Sequence, residues 1–325
     1  MKKSLQKLTA ILTVLFAMLS FTGCGKQSAA LRGNNSQEKQ IITIGVMPDT
    51  DSIPLIIAEQ RGYFKDEGVN VKLEHFKSAR DRDSALQSGK LDGVITDILA
   101  LIFAREGGFD LKITSSSVGD YKMVVGKNSG ITSADKLKGK SVALSLNTLI
   151  EYSTDKILQA SNLKIEDVKK MSIPEIPVRL EMLQNGKVDA ATLPEPLATV
   201  AIKNGASLIN STSKLGINPG IIAFSQKSID TKGNEIAAVY RAYNRAIEYI
   251  QNNKPSDYMD VVIKAAGFPE GVKDDLVLPE YKKAEMPSEK EIKDVIEWMK
   301  DKKLIKNDYK ISELIYDKFI NSDGK

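Results

Sequence analysis

Two carboxylates and two hydroxyls stand in four consecutive positions early in the chain: Asp49, Thr50, Asp51 and Ser52. They follow the apolar run 41–47 and precede an amphipathic pattern that predicts a helix from Ile53. A single residue of this kind is enough to cap a helix N-terminus, where it contributes about 1 kcal/mol. This surplus of polar atoms indicates that the turn either caps the helix or contacts a small polar ligand.

Polar residues also stand at the ends of other predicted strands. The further candidate ligand contacts are Thr96, Asp97, Ser145, Asn147, Thr148 and Glu195. Asp97 and Glu195 each precede a predicted helix, so a role as a cap or a partner of the helix dipole competes with ligand contact. Tyr121, which follows a strand predicted at 111–118, could stack on a ligand ring or pack in the core.

The residue types available for covalent chemistry are few. The 325 residues include one cysteine, Cys24, and one histidine, His75, which falls in a predicted strand. These counts exclude a histidine metal cluster, a zinc–thiolate site and thiol catalysis in the body of the protein. A Ser-His-Asp arrangement would have to use His75, and the sequence has no glycine-rich phosphate loop. We therefore predict a binding site with no catalytic residue, no metal and no cofactor.

Short apolar runs alternate with helical patterns along most of the chain, which predicts an α/β fold with parallel, doubly wound sheets. The predicted strands are 41–47, 70–76, 92–97, 111–118, 141–146, 169–173, 189–193 and 207–211. The predicted helices are 53–64, 80–89, 98–107, 149–162, 176–186 and 196–205, followed by a helical C-terminal tail at 232–253, 256–266, 288–303 and 311–320.

One sequence pattern occurs twice. Residues 86–93, LQSGKLDG, return at 183–190 as LQNGKVDA, an offset of 97 (183 − 86). The same offset places Met47 on Leu144 and the polar turn 48–52 on 145–149. The repeat predicts two similar βαβ lobes.

The positions of the polar turns predict a cleft between these lobes. In open α/β sheets, ligands bind beyond the carboxyl ends of the strands, where helix N-termini also point. We predict lobe 1 at 41–125 plus 225–325 and lobe 2 at 126–224, with hinge crossings near 125–127 and 223–226. The helical tail is expected to pack on lobe 1.

The first 40 residues indicate export and a lipid anchor. Residues 1–7 are basic, and the apolar stretch 8–21 has the length of a signal-peptide core. The sequence FTGC at 21–24 resembles the lipobox of bacterial lipoproteins, which implies a lipoprotein signal peptide at 1–23 and lipidation of Cys24. Residues 24–40 predict a flexible tether.

The charge of the chain gives no indication of a nucleic-acid partner. Loss of residues 1–23 would remove three lysines and lower the formal net charge from +4 to +1. A nearly neutral protein has no electrostatic reason to bind nucleic acid or a membrane surface. Contact with the membrane is therefore expected through the lipid only.

Two further motifs resemble an importer family. Residues 53–71, IPLIIAEQRGYFKDEGVNV, resemble the signature P-L-x-x-A-x-x-x-G-Y-F-x-x-x-G-(L/V)-x-V of ABC-importer solute-binding proteins for nitrate, sulfonates, taurine and pyrimidine thiamine precursors. Residues 190–198, AATLPEPLA, resemble the A-x-x-x-x-E-P element of that family. The resemblance covers about residues 20–225 and implies a two-lobed type II periplasmic-binding-protein fold that closes on its ligand by a hinge.

The same resemblance implies a function. A lipid-anchored monomer on the extracytoplasmic face of the cell membrane would capture a small polar organic solute and deliver it to an ABC permease and its ATPase. Two alternatives stay open: an enzyme of the yeast-type pyrimidine-synthase kind, which is built on the same fold, and a ligand sensor without a transport role.

The acidic turns favour one kind of ligand. No arginine or lysine lies within the turns that carry Asp49, Asp51, Asp97 and Glu195. A carboxylate about 4 Å from an anion is repelled by roughly 4 kcal/mol at an effective dielectric constant near 20. We therefore expect a ligand that presents N–H donors, such as taurine or an aminopyrimidine, in preference to nitrate or a plain alkanesulfonate.

Overall fold

The computed structural model describes residues 40–320, and all of these residues belong to one compact unit. The predicted signal peptide at 1–23, the lipidation of Cys24 and nearly all of the tether at 24–40 lie outside the described residues. Within residues 40–320, no helix combines the length and the apolar character needed to cross a bilayer.

Strands and helices alternate through the first two thirds of the described chain. The strands are β1 (Ile41–Val46), β2 (Asn70–His75), β3 (Gly93–Asp97), β4 (Leu111–Ser116), β5 (Tyr121–Val125), β6 (Ser141–Leu144), β7 (Lys169–Ser172), β8 (Ala190–Pro194), β9 (Ser207–Ser211) and β10 (Gly220–Ser225). The helices are α1 (Ile53–Gln60), α2 (Tyr63–Asp66), α3 (Ala79–Gln87), α4 (Ile98–Glu106), α5 (Leu149–Gln159), α6 (Ile176–Gln184), α7 (Leu197–Lys203), α8 (Gln226–Thr231), α9 (Gly233–Asn252), α10 (Met259–Ala266), α11 (Glu289–Asp301) and α12 (Ile311–Leu314).

The strands form two five-stranded sheets of the same design. Their strand orders are β2-β1-β3-β10-β4 and β7-β6-β8-β5-β9. In the first sheet β1 runs parallel to β2 and β3, whereas β10 runs antiparallel to β3 and β4. In the second sheet β6 runs parallel to β7 and β8, whereas β5 runs antiparallel to β8 and β9. Each sheet is therefore mixed, and the prediction of wholly parallel sheets was wrong for one strand in each.

The two reversed strands are the ones that the sequence pattern did not predict. Strand β5 follows β4 of the first sheet along the chain but pairs in the second sheet, and β10 follows β9 of the second sheet but pairs in the first. The chain therefore crosses between the sheets at 117–120 and 212–219. These crossings lie before the predicted hinges at 125–127 and 223–226, and they do not coincide with the predicted lobe boundaries.

Three predicted helices also differ in extent. The helix predicted at 53–64 is divided into α1 and α2, because Gly62 has a φ of 75°, which no right-handed helix contains. The last predicted helix, 311–320, is reduced to the single turn of α12, and α8 was not predicted.

The repeat seen in the sequence is present in the structure. Helices α3 and α6 begin 97 residues apart (176 − 79) and have equal lengths, and strands β3 and β8 have the same offset (190 − 93). Each sheet therefore has one helix and one strand that occupy equivalent places in the two halves.

The helical tail packs on the first sheet, as predicted. Ile44 of β1 and Ile56 of α1 share one hydrophobic cluster with Tyr240 and Ile247 of α9. A second cluster joins α4 to α11. The tail thus completes the core around the first sheet and fixes the strand ends that face the second.

Candidate functional site

A polar cavity lies at and just beyond the carboxyl ends of strands from both sheets. It is lined by Met47, Asp49, Asp51, Ala79, Arg82, Ile95, Thr96, Asp97, Tyr121, Ser145, Thr148, Leu149, Ile150, Pro174, Ile176, Arg179 and Pro194. The space open to the centre of a water molecule is about 50 Å³. One water needs about 10–15 Å³ of such space, and drug-sized ligands occupy pockets of about 300–1,000 Å³. The cavity therefore suits a small solute.

The structure brings seven of the eleven predicted ligand contacts to this cavity. They are Asp49, Asp51, Thr96, Asp97, Tyr121, Ser145 and Thr148. The other four predicted contacts, which do not line it, are Thr50, Ser52, Asn147 and Glu195. The sequence did not predict the two arginines that line the cavity, Arg82 of α3 and Arg179 of α6.

The first polar turn does not cap α1. Residues Thr50–Ser52 form a short 3-10 turn, and neither Asp49 nor Ser52 makes a side-chain capping hydrogen bond. Instead, Ser52 Oγ donates to Met47 O at 2.9 Å and to Asp49 Oδ1 at 3.0 Å. Ser52 therefore holds the turn in place from behind, which leaves Asp49 and Asp51 at the cavity.

The Asp51 carboxylate is held against both segments that cross between the sheets. Ser117 Oγ, in the first crossing, donates to Asp51 Oδ2 at 3.1 Å. A Cβ added to Gly119 would lie 2.0 Å from Asp51 Oδ1, and one added to Gly220 would lie 3.2 Å from Oδ2. The absence of side chains at these two glycines is therefore what lets the carboxylate reach the cavity wall.

Two of the predicted contacts combine a capping role with a place at the cavity. Asp97 Oδ1 accepts a hydrogen bond from Ala100 N at 2.9 Å and caps α4. Thr148 Oγ1 accepts one from Ile150 N at 3.2 Å and caps α5. The capping alternative considered for these residues is confirmed, and it does not remove them from the cavity lining.

Thr50 and Asn147 serve the backbone around the cavity. Thr50 N donates to Glu195 O at 3.2 Å, and Thr50 O accepts from Tyr281 Oη at 2.8 Å. Asn147 is exposed, has a left-handed φ of 56°, and its N–H donates to Glu151 Oε2 at 2.7 Å. Neither side chain points to the cavity lining.

Glu195 has partners of its own in the second half of the molecule. It is 1% exposed and pairs with the Lys122 ammonium. Its Oε2 accepts a hydrogen bond from Thr199 N and its Oε1 one from Thr199 Oγ1, each at 2.9 Å. These contacts give Glu195 a structural role at the start of α7.

Arg82 is fully engaged by the wall of the first half. Its Nη1 donates to Ile95 O at 3.0 Å, its Nη2 to Thr96 Oγ1 at 2.7 Å and its Nε to Asp83 Oδ1 at 2.9 Å. The ion pair with Asp83 has a distance of 2.8 Å. Arg82 therefore neutralises charge within its own wall and has few donors left for a ligand.

Arg179 has no such partners. It is 1% exposed, and its Nε and Nη1 are buried without a hydrogen-bond partner among the described residues. Burial alone lowers the pKa of Arg179 from 12.5 to about 9, and no carboxylate offsets that effect. An unpaired buried cation is costly in the empty protein, so this guanidinium is poised to contact an anionic group.

The acids of the opposite wall are costly to ionise in the empty cavity. Burial raises the pKa of Asp49 to about 6, and it raises the pKa of Asp97 to about 6 against the attraction of Arg82. Burial, and then the charge of Asp49, raise the pKa of Asp51 well above its usual range. The pKa of Tyr121 is raised by its burial and by the nearby Asp51.

These raised pKa values predict how stability depends on pH. Because the folded, ligand-free protein holds protons that the unfolded chain releases near pH 4, its unfolding free energy falls as the pH rises through about 4–6 and beyond. We expect the melting temperature of the wild type to fall more between pH 5 and pH 8 than that of Asp51→Asn, which has no proton to lose there. The charged and titratable groups that influence the ionisation of Asp51 or are influenced by it, in every packed element, are Asp49, Arg82, Tyr121, Tyr243 and Tyr281.

Differential scanning fluorimetry of the ligand-free protein measures this dependence. Asp135→Asn, at an exposed acid, is the matched control and should follow the wild type. Parallel curves for the wild type and Asp51→Asn would contradict a raised Asp51 pKa.

A second cavity is larger but chemically plainer. Its volume is about 390 Å³, and its lining includes Pro48, Phe76, Leu180, Phe268 and Pro269. The polar lining at strand ends makes the smaller cavity the better candidate for a polar solute.

A family model described as "NMT1/THI5 like" matches residues 49–256, well over half of the chain. The protein belongs to the NMT1/THI5-like family. The matched residues contain both the first polar turn and the two arginines of the cavity. The family resemblance carried by residues 53–71 and 190–198 is thereby confirmed.

Relatives of this NMT1/THI5-like chain include binding proteins and an enzyme. A Bacillus subtilis protein named as an aliphatic sulfonates-binding protein is 28% identical over 256 residues, which are 76% of this chain and 74% of the relative. The Saccharomyces cerevisiae protein named 4-amino-5-hydroxymethyl-2-methylpyrimidine phosphate synthase THI11 is 24% identical over 135 residues, 41% of this chain and 39% of the relative.

Solved structures share the fold. The alkanesulfonate-binding protein SsuA from Xanthomonas axonopodis pv. citri superposes with a TM-score of 0.73 at 18% identity, covering 85% of this chain and 98% of that one. This likeness confirms the predicted α/β, two-lobed periplasmic-binding-protein fold of type II.

Proposed function

We propose that this protein is the extracytoplasmic solute-binding component of an ABC importer and captures a small polar organic solute in the cavity between its two sheets. The observation that carries the proposal is the buried, unpartnered Arg179 at a polar cavity formed by strand ends of both halves. Family membership and the sulfonate-binding name of the Bacillus subtilis relative support it.

The division of the cavity between two halves suits capture by closure. Asp49, Asp51 and Asp97 stand on the first sheet's side, and Ser145, Thr148 and Arg179 on the second. A solute that touches both sides stabilises the closed form by the contacts that the open form lacks. The permease and its ATPase would then recognise the closed form.

The candidate solutes are a taurine-like or other sulfonate and an aminopyrimidine thiamine precursor. The earlier expectation rested on acidic turns without a basic residue. That expectation needs a correction, because helices α3 and α6 bring Arg82 and Arg179 into the same cavity. An anionic group is therefore compatible with the site on the Arg179 side.

The cavity lining favours binding without chemical change. Among the described residues that line it, there is no histidine, cysteine or lysine to act as a base or a nucleophile. His75 instead lines the larger apolar cavity. The yeast synthase names keep the enzyme alternative in view, and we propose that this chain does not share that activity.

Native mass spectrometry of protein purified without denaturation tests the proposal. We expect a retained small solute, bound one to one, whose mass does not change during incubation with the protein. A product that accumulates with time would instead support the enzyme alternative. A protein that neither retains a solute nor binds any sulfonate, amine or aminopyrimidine would refute solute binding.

The lipid anchor and the monomeric state are part of the same proposal. Cys24 would carry the lipid and residues 24–40 would tether the binding domain to the membrane. We expect Cys24→Ala to abolish the incorporation of labelled palmitate, with the wild-type chain as the positive control. Unchanged incorporation would exclude Cys24 as the lipid site.

A further inference from the structure

The two arginines of the cavity occupy equivalent positions in the repeat. Arg82 is the fourth residue of α3 and Arg179 the fourth residue of α6, an offset of 97 (179 − 82). Both are almost completely buried, and both line the same cavity. The two halves therefore present the same basic group to the cavity from opposite sides.

The acidic partners of that group exist in the first half only. Arg82 stands among four carboxylates, three of which line the cavity: Asp49, Asp51, Asp83 and Asp97. The positions equivalent to these acids in the second half are Leu146, Thr148, Leu180 and Pro194. Thr96, which accepts from Arg82, corresponds to Leu193.

This difference explains why Arg179 is unpaired. Each residue that could accept a proton or a charge from it has an apolar or neutral counterpart. Burial is the only cause that moves the Arg179 pKa, so the three cavity acids lie too far away to compensate its charge. The cavity consequently has one wall with an excess of carboxylates and an opposite wall with one uncompensated guanidinium.

We propose that the cavity is selective for an amphoteric solute, with its anionic group on Arg179 and an ammonium or other N–H donor group on Asp49, Asp51 and Asp97. The proposal rests on the proposed function, since it takes this cavity as the solute site. It narrows the solute class to molecules that carry both groups at opposite ends of a small skeleton.

Solutes with only one of these groups satisfy only one wall. A plain alkanesulfonate would pair with Arg179 but leave the acids without a partner, and its alkyl end would face them. A simple amine or a neutral aminopyrimidine would satisfy the acids but leave Arg179 buried and unpaired. A buried charge without its partner is strongly unfavourable, so each single-group solute loses the contacts of one half.

Isothermal titration calorimetry with a matched panel tests this selectivity. The probes are 2-aminoethanesulfonate, ethanesulfonate, ethylamine and a neutral 4-aminopyrimidine, each titrated into the purified full-length protein. We expect the aminosulfonate to bind at least tenfold more tightly than each of the other three.

Variants of each wall assign the two contacts. Arg179→Gln should weaken the aminosulfonate at least tenfold and leave ethylamine unaffected, whereas Asp51→Asn should remove the advantage of the aminosulfonate over ethanesulfonate. Arg80→Gln, at an exposed arginine two residues before Arg82 on α3, is the matched control and should bind like the wild type. A merely structural role for Arg179 would lower all affinities together and would lower the melting temperature of the ligand-free protein, which we expect instead to stay or rise.

The outcomes separate this inference from the proposed function. Equal or tighter binding of ethanesulfonate, or an unchanged affinity in Arg179→Gln, would overturn the amphoteric assignment while leaving solute binding intact. If no probe binds the wild type, and native mass spectrometry detects no retained solute, the cavity is not a site for this class and both proposals fail.

Discussion

Replacing Lys122 with methionine is expected to lower the free energy of unfolding by about 3 kcal/mol. The substitution leaves the Glu195 carboxylate, which is 1% exposed, without its only basic partner, although its bonds to Thr199 remain. A buried ion pair contributes little in itself, but removal of one partner leaves an uncompensated buried charge. Urea denaturation followed by circular dichroism measures the loss.

A double variant separates the charge from the packing. Adding Glu195→Gln to Lys122→Met removes the buried charge and keeps the shape, so most of the lost stability should return. Lys138→Met, at an exposed lysine, controls for the loss of a positive charge on the same half. If the double variant is as unstable as Lys122→Met, the unpaired charge is not the cause.

Replacing Lys302 with methionine is expected to affect both stability and affinity. Lys302 Nζ donates to Glu151 Oε1 at 2.6 Å and to Asp155 Oδ2 at 3.1 Å, and Trp298 Nε1 donates to the same Asp155 oxygen at 2.9 Å. Trp298 lies on α11, which packs on α4 of the first half, whereas Glu151 and Asp155 lie on α5 of the second. This network therefore joins the two halves one turn beyond the cavity.

The Glu151 and Asp155 side chains are 2% and 5% exposed, and Lys302 is 22% exposed. Allowing for solvent at Lys302, we expect Lys302→Met to cost about 2 kcal/mol of stability. Because the lost contacts belong to the joined form, solute affinity should fall by about tenfold. Lys300→Met, on the exposed face of α11, is the control and should match the wild type in both measurements.

Chemical denaturation and calorimetry on the same samples measure the two effects. A loss of stability with unchanged affinity would mean that the network supports the fold without favouring the closed form. No loss of either would mean that Lys170, which also contacts Glu151 at 3.1 Å, compensates alone.

The sequence predicted the location of the site because strand ends and helix starts are local features. Apolar runs marked β1 and β3, and the residues that follow them, Asp49, Asp51 and Asp97, reach the cavity as expected. Strands β5 and β10 were missed, because each pairs with the sheet of the other half and no local pattern encodes that exchange.

Side-chain partners explain the other differences between sequence and structure. Lys122 pairs with Glu195 because β5 aligns Tyr121 with Pro194 and Lys122 with Leu193, a register that the sequence does not display. Arg179 could have been found, since the 97-residue offset places it on Arg82. Attention to turns alone excluded helix residues, although the arginines on α3 and α6 determine the charge of the cavity.

A crystal structure of the protein with the tightest solute of the calorimetric panel tests the central claim most directly. We predict density for the solute in the cavity between the two sheets, with an anionic atom within hydrogen-bond distance of Arg179 and a donor nitrogen within that distance of Asp49, Asp51 or Asp97. A solute bound in the larger apolar cavity beside Phe268, or one in the polar cavity that touches neither Arg179 nor the acids, would contradict the account.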